Sequence, residues 1–277
     1  MWLPWEYALV LAGAALVVSL TARQDQVRAV GRETAILSVL YAGWQFAGRL
    51  SVLQIDGAVD RGIALYEWQL SVGIPSERAW QQAVLGQDWL IQASNIYYGG
   101  AHVPGMGVFL VWLFFAHRER YPLWRTALAI TTALCLAIQL LPVAPPRLIP
   151  ELGIVDTGVL HGQSVYSAFG SRIAGQLQAM PSIHVAWAAL VAMACWRLGG
   201  RWARGIGVFH GVATMWVVVV TGNHYWSDGL VAVALLGITV GALALARSAV
   251  SDRSDSAADV QPASDHEDEL STLTRSS

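Results

Sequence analysis

The chain has 277 residues, 55% of them hydrophobic and only 13% charged, with a formal net charge of −2. Soluble domains carry roughly 25% charged residues, so this composition excludes an ordinary soluble domain, and nothing in the charge suggests a nucleic-acid partner. The two cysteines, Cys135 and Cys195, both fall in apolar runs, which excludes a disulfide framework or a cysteine zinc site and leaves buried thiols.

Seven apolar runs follow one another, at residues 2–20, 34–53, 103–117, 126–143, 183–196, 205–221 and 229–246. A helix that crosses a bilayer needs about 20 residues, and the shorter runs approach that length. The first run has no basic start and no clear cleavage site, so it reads as a retained helix and not a signal peptide. Residues 54–102 are mixed, with Trp68, Trp80 and Trp89 spaced through them, and read as interfacial amphipathic helices or a partly re-entrant segment. Ala144-Pro145-Pro146-Arg147 closes the fourth run, and 148–179 is a polar loop rich in Gly and Ser. Beyond Arg247 the chain becomes acidic and loses periodicity, which predicts a disordered tail over 247–277. The expectation is an all-α, polytopic transmembrane bundle of about six or seven spans.

All 17 basic residues are arginine, and their positions set an orientation. Arg23, Arg28 and Arg32, then Arg118, Arg120 and Arg125, then Arg197, Arg201 and Arg204, then Arg247 and Arg253 fall in alternate loops. The positive-inside rule makes those loops cytoplasmic, which puts the N-terminus outside and the C-terminal tail inside. Three polar clusters, at 144–147, 180–184 and 222–228, then share the extracytoplasmic face.

Those clusters carry the chemistry. His224 and Asp228 are four apart, a spacing that brings both to one face of a helix start. Such an aspartate can accept the imidazole Nδ1–H and leave Nε2 basic, with the histidine itself as nucleophile. His184 follows Pro181 and Ser182, a helix start with Ser as N-cap, and helix N-termini favour anions. The same dipole disfavours an imidazolium until a phosphate dianion arrives, so His184 is suited to protonate a leaving alkoxide only once substrate is bound. By contrast, His117 and His210 read as packing residues, His161 and His266 as loop and tail residues, and the Trp and Tyr residues as interfacial anchors.

Pro181-Ser182-Ile183-His184 and His224-Tyr225-x-x-Asp228 resemble two signature motifs of the type 2 phosphatidic acid phosphatase superfamily. The nearer resemblance is to its inositolphosphotransferase branch, which includes inositol phosphorylceramide synthases; Ala144-Pro145-Pro146-Arg147 and the stretch from Asn95 through His102 to Pro104 also look like that branch. The resemblance implies that His224 attacks phosphorus to form a phosphohistidine, that Asp228 supports it, and that His184 serves as acid and then base. It implies a membrane catalytic domain over 34–246, preceded by a transmembrane helix and basic loop at 1–33. The superfamily's lysine is absent, and Val218 stands where a phosphate-binding arginine is expected. Phosphate oxygens would then fall to Arg147, Arg172, Ser182 and Asn223, with no metal or other cofactor.

The function so implied is transfer of a phosphoryl or phospho-alcohol group from a lipid phosphate at the plasma membrane of a bacterium. The acceptor is a hydroxyl of inositol, a lipid head group or water, with His102 and Asn95 as candidates for binding it and Glu67 and Asp88 as weaker ones. Rival readings are a lipid phosphate phosphatase, acting on phosphatidate or a polyprenyl phosphate, and a transporter that uses the histidines as a proton relay. A metal site built from His102, His184, His224 and Asp228 ranks last, because no His-Glu-x-x-His signature occurs.

Overall fold

The computed structural model describes residues 4–50, 56–164 and 176–259, and no strand occurs among them. The helices are α1 (Trp5–Thr21), α2 (Asp25–Leu50), α3 (Ala58–Ser71), α4 (Glu77–Leu85), α5 (Asp88–Gly100), α6 (His102–Ala116) and α7 (Tyr121–Gln139). Two 3-10 turns and the short α8 (Thr157–Leu160) precede α9 (Ile183–Leu198), α10 (Arg201–Val220) and α11 (Trp226–Asp259). The chain divides into two compact units, Met1–Gly237 and Ile238–Ser277. The described part of the second is the remainder of the final helix.

Three helical stretches are long and apolar enough to cross a membrane: α7, α10 and Trp226–Ala249 of α11. The pair α5 and α6, bent by 54°, passes the same test together and makes a fourth. This is fewer than the six or seven spans read from hydropathy. Two of the missing ones, α1 and α9, are apolar but shorter than 18 residues. Helix α9 is cut to 16 residues by its Ser182 cap at one end and Gly199 at the other, and α1 stops at Ala22, where the backbone turns extended.

In the mixed segment, α3 and α4 turn one polar side inward while Trp68, Trp80 and Trp89 stay exposed. Helices α3 and α4 carry Gln69, Glu77 and Gln81, and all three side chains are buried. Polar groups that leave water need hydrogen-bond partners, and these find them at the ends of other helices. Gln81 receives the Val155 N–H at 2.7 Å and donates to the carbonyls of Val155 at 2.9 Å and Val220 at 3.0 Å. It thereby ties the loop after the 3-10 turns to the end of α10.

A second tie uses the Ala-Pro-Pro-Arg stretch. Val143 N donates to Leu177 O at 2.9 Å and Val143 O accepts from Ala179 N at 3.1 Å, Ala144 N donates to Ala58 O at 2.9 Å, and Tyr225 Oη donates to Ala144 O at 2.8 Å. Gly62 lets α3 approach here, because a Cβ at that position would lie 2.8 Å from both Ala144 O and Tyr225 Oη. Together these contacts gather the end of α7, the starts of α9 and α11 and the end of α10. The final helix runs to Asp259, past Arg247, so residues 247–259 of the expected tail are helical; residues 260–277 lie outside the described residues.

Candidate active site

The turn between α10 and α11 presents His224. Gly222 enters it at φ 70°, in the left-handed region that glycine tolerates best. A Cβ there would meet Ile154 Cγ2 at 2.9 Å and Arg147 Cβ at 3.0 Å. Asn223 and His224 then fold back, both donating backbone N–H groups to Val218 O. Helix α11 starts at Trp226, so His224 precedes the helix and Asp228 sits in its first turn.

Asp228 is fully buried and does two things with Oδ2. It accepts the Tyr225 N–H at 2.8 Å, which closes the helix start as a capping box does, and lies 3.3 Å from His224 Nδ1. The shorter contact of His224 Nδ1 is with Ala179 O, at 2.7 Å. A carbonyl only accepts, so Nδ1 carries the proton and Nε2 presents its lone pair. Burial holds the His224 imidazole down to about 4; the Ala179 hydrogen bond acts against this and the Arg147 guanidinium adds to it. The ring is therefore neutral at pH 7.

Helix α9 meets the same point. The Ser182 hydroxyl accepts the Val185 N–H at 3.3 Å, and Ser182 N donates to Asp228 O at 3.3 Å. Gln139, at the end of α7, donates to Pro181 O at 2.8 Å. His184 follows the cap with its ring centroid 5.7 Å from that of His224. Tyr98 and His102 flank it at 4.7 Å and 4.6 Å.

Arg147 adjoins the turn that carries His224, its backbone N–H donating to Gly222 O at 3.0 Å. Its Nε donates to Asn223 Oδ1 at 2.9 Å, Nη1 to Asp156 Oδ2 at 2.8 Å, and Nη1 and Nη2 to Gln176 Oε1 at 3.2 Å. The guanidinium expected to hold phosphate is thus occupied by protein acceptors, including one carboxylate. Arg147 and Asn223 line a small polar pocket with Asn95, Tyr98, Asp156 and Gln163.

The sequence-derived candidates do not all come together in one place. His184, His224 and Asp228 do, with Ser182 beneath them and Arg147 and Asn223 beside them. His102 stands next to His184. Asn95 faces the Arg147 pocket, and its amide is engaged by Thr157 O at 3.0 Å, Thr157 Oγ1 at 2.8 Å and Gln163 Oε1 at 3.2 Å. Glu67 and Asp88 are exposed. Arg172 lies outside the described residues. No group of three or more His, Cys, Asp or Glu side chains among the described residues is arranged to hold a metal ion, and that includes His102, His184, His224 and Asp228.

Several residues of this neighbourhood were not singled out from sequence. Ala179 acts through its carbonyl, which no side-chain pattern reveals. Glu77 accepts the Trp226 N–H at 2.8 Å and the Gln69 amide at 2.6 and 2.5 Å, and Gln69 Oε1 accepts from Ser227 Oγ at 3.2 Å. Burial raises the Glu77 carboxyl above its usual range against those hydrogen bonds, with the Asp228 charge adding to the rise. An ionisable residue inside an otherwise apolar chain was the available signal. The same signal marks His210, whose Nδ1 lies 2.5 Å from Tyr97 Oη.

No curated protein and no solved structure matches the chain. The PAP2 superfamily matches residues 63–242, a stretch that holds every residue of this site from Gln69 to Asp228. With well over half its length so matched, the chain belongs to the PAP2 superfamily, whose members are usually phosphatases or phosphotransferases.

Proposed function

We propose that the protein is a membrane lipid phosphotransferase that works through a phosphohistidine at His224. The observation that carries this reading is the 2.7 Å contact of His224 Nδ1 with Ala179 O. It makes Nε2 the free, unprotonated nitrogen of a neutral imidazole, the form that attacks phosphorus. Asp228 supports the positive charge that develops on the ring once Nε2 bonds to phosphorus.

In the first half-reaction Nε2 bonds to the phosphorus of a lipid phosphate ester. The bond to the lipid oxygen breaks, and that oxygen leaves with the proton that His184 takes up when the phosphate anion binds beside it, which returns the ring to its neutral form. In the second, an acceptor hydroxyl gives its proton to His184 while its oxygen displaces His224 from phosphorus. Arg147, Asn223, Ser182 and the N-terminal ends of α9 and α11 stabilise the phosphate oxygens. Phosphate oxygens replace Gln176 and Asp156 on the Arg147 guanidinium. The Asn95-lined pocket beside Arg147 is where the acceptor's polar part lies.

Two features favour a lipid donor in a membrane. An apolar cavity of about 1000 Å³ is lined by α2, α6 and α7. Trp187, on its wall, stands one turn along α9 from His184. The arginine pattern favours six or seven crossings, with the site at the extracytoplasmic face of a bacterial plasma membrane. The absence of lysine and the valine at 218 favour transfer over general hydrolysis, because fewer cations hold a free phosphate.

Product analysis with labelled phosphatidate in detergent tests the reading. Transfer predicts labelled product only when an alcohol acceptor such as inositol is supplied. Free phosphate released at the same rate without acceptor would make the protein a hydrolase.

A further inference from the structure

His102 is 6% exposed, and neither of its ring nitrogens has a hydrogen-bond partner among the described residues. A neutral imidazole has one N–H to donate and one lone pair to fill, and buried groups of this kind are nearly always paired. Three rings surround it. The His184 ring is 4.6 Å away, the His210 ring 5.8 Å and the Tyr97 ring 5.8 Å. Tyr97 Oη is already taken up by His210 Nδ1, at 2.5 Å, and by Thr214 Oγ1, at 3.0 Å. Of these rings His184 is the nearest.

His184 has the matching need. An imidazole that serves as acid and base works from one nitrogen, and the other must be fixed so that the correct tautomer faces the substrate. For His224 that role belongs to Ala179 and Asp228. Tyr98 and His102 stand directly against His184, with ring centroids 4.7 Å and 4.6 Å away.

We propose that His102 is the positioning residue of His184: its imidazole engages one nitrogen of His184 and leaves the other facing the phosphorus held at His224. The inference rests on the reading of His184 as the acid and base. Tyr97 and His210, tied to each other behind His102, hold that ring in place. A neutral partner also suits the acid role, because a carboxylate there would lock the proton on His184 and slow its transfer.

The test uses the full-length protein in detergent, labelled with ¹⁵N-histidine, as wild type, His102→Ala and His102→Asn, with the His184 signals assigned by their loss in His184→Ala. In the wild type the His184 ring holds one tautomer. His102→Ala mixes the tautomers at His184 and leaves the His224 signals in place; His102→Asn, whose amide can still engage a ring nitrogen, restores most of the wild-type pattern. Unchanged His184 signals in His102→Ala, or His224 signals that move as far, overturn the proposal.

Turnover supplies a second readout. Phosphatidate loses an alkoxide that needs a proton, whereas p-nitrophenyl phosphate loses a phenolate that does not. His102→Ala slows phosphatidate turnover by about 10–100-fold and the nitrophenyl ester by less than about threefold. Equal slowing of both overturns the proposal. Equal slowing in His184→Ala would instead remove the acid role of His184 itself, and the tautomer measurement would still decide the pairing with His102.

Discussion

His224 Nδ1 lies 2.7 Å from Ala179 O and farther, at 3.3 Å, from Asp228 Oδ2. The tautomer of the central histidine is therefore set first by a backbone carbonyl from the segment before α9. Asp228 comes second, and its Oδ2 is shared with the Tyr225 N–H. One carboxylate oxygen thus supports the imidazole and starts the helix on which it stands.

Asp228→Asn should lower turnover by about 10²–10⁴-fold, the range seen when the supporting carboxylate of a histidine is neutralised. The Ala179 bond keeps the tautomer, so the loss reflects missing charge support. Binding of the phosphate ester should change little. A kcat within about threefold of wild type would contradict the role given to Asp228.

Burial holds His224 down to about 4, while a free imidazole titrates near 6.5. Between those values the unfolded chain binds more protons than the folded one. The contribution of this group to stability is complete above about 6.5, is lost as pH falls through the window, and levels off below about 4. Thermal unfolding in detergent should show that slope in wild type and lose it in His224→Gln. The acid limb of phosphoenzyme formation should likewise fall near pH 4 and not near 6.5.

Glu77→Gln should lower the unfolding temperature, with a cost of about 1–3 kcal/mol. Both Glu77 oxygens accept from Gln69 and one also accepts from Trp226 N. A glutamine offers one oxygen and turns an NH₂ toward the Gln69 NH₂. An unchanged unfolding temperature would remove Glu77 as the cap of α11.

Asp156→Asn should lower KM for a phosphate ester by about fivefold, the equivalent of an ion-pair contribution of about 1 kcal/mol. Its charge competes with substrate for Arg147 at 2.8 Å, while its Oδ1 caps α8 through Val159 N, a role the amide oxygen retains. Steady-state kinetics decide the point, and a raised KM would show that Asp156 helps binding.

The helix starts were legible because their signals are local. Ser182 caps α9 as its Pro-Ser context predicts, and the four-residue spacing of His224 and Asp228 brings them together although His224 lies just outside the helix. The lengths of the apolar helices were less legible, since α9 and α1 end before 18 residues. The partners of the buried polar residues on α3 and α4 were also hidden. Gln69, Glu77 and Gln81 look like the polar face of an interfacial helix, and only the tertiary fold supplies the backbone groups at Val155, Val220 and Trp226 that they satisfy. His210 read as a packing residue because its partner, Tyr97, lies 113 positions away.

The central claim is the nucleophile at His224. Incubation with ³²P-labelled phosphatidate, followed by rapid denaturation at alkaline pH and peptide mass spectrometry, tests it most directly. The account predicts an acid-labile, alkali-stable phosphate on the peptide that contains His224, present in wild type and absent from His224→Ala. Turnover by His224→Ala at a near-normal rate, or label on another residue, would contradict it.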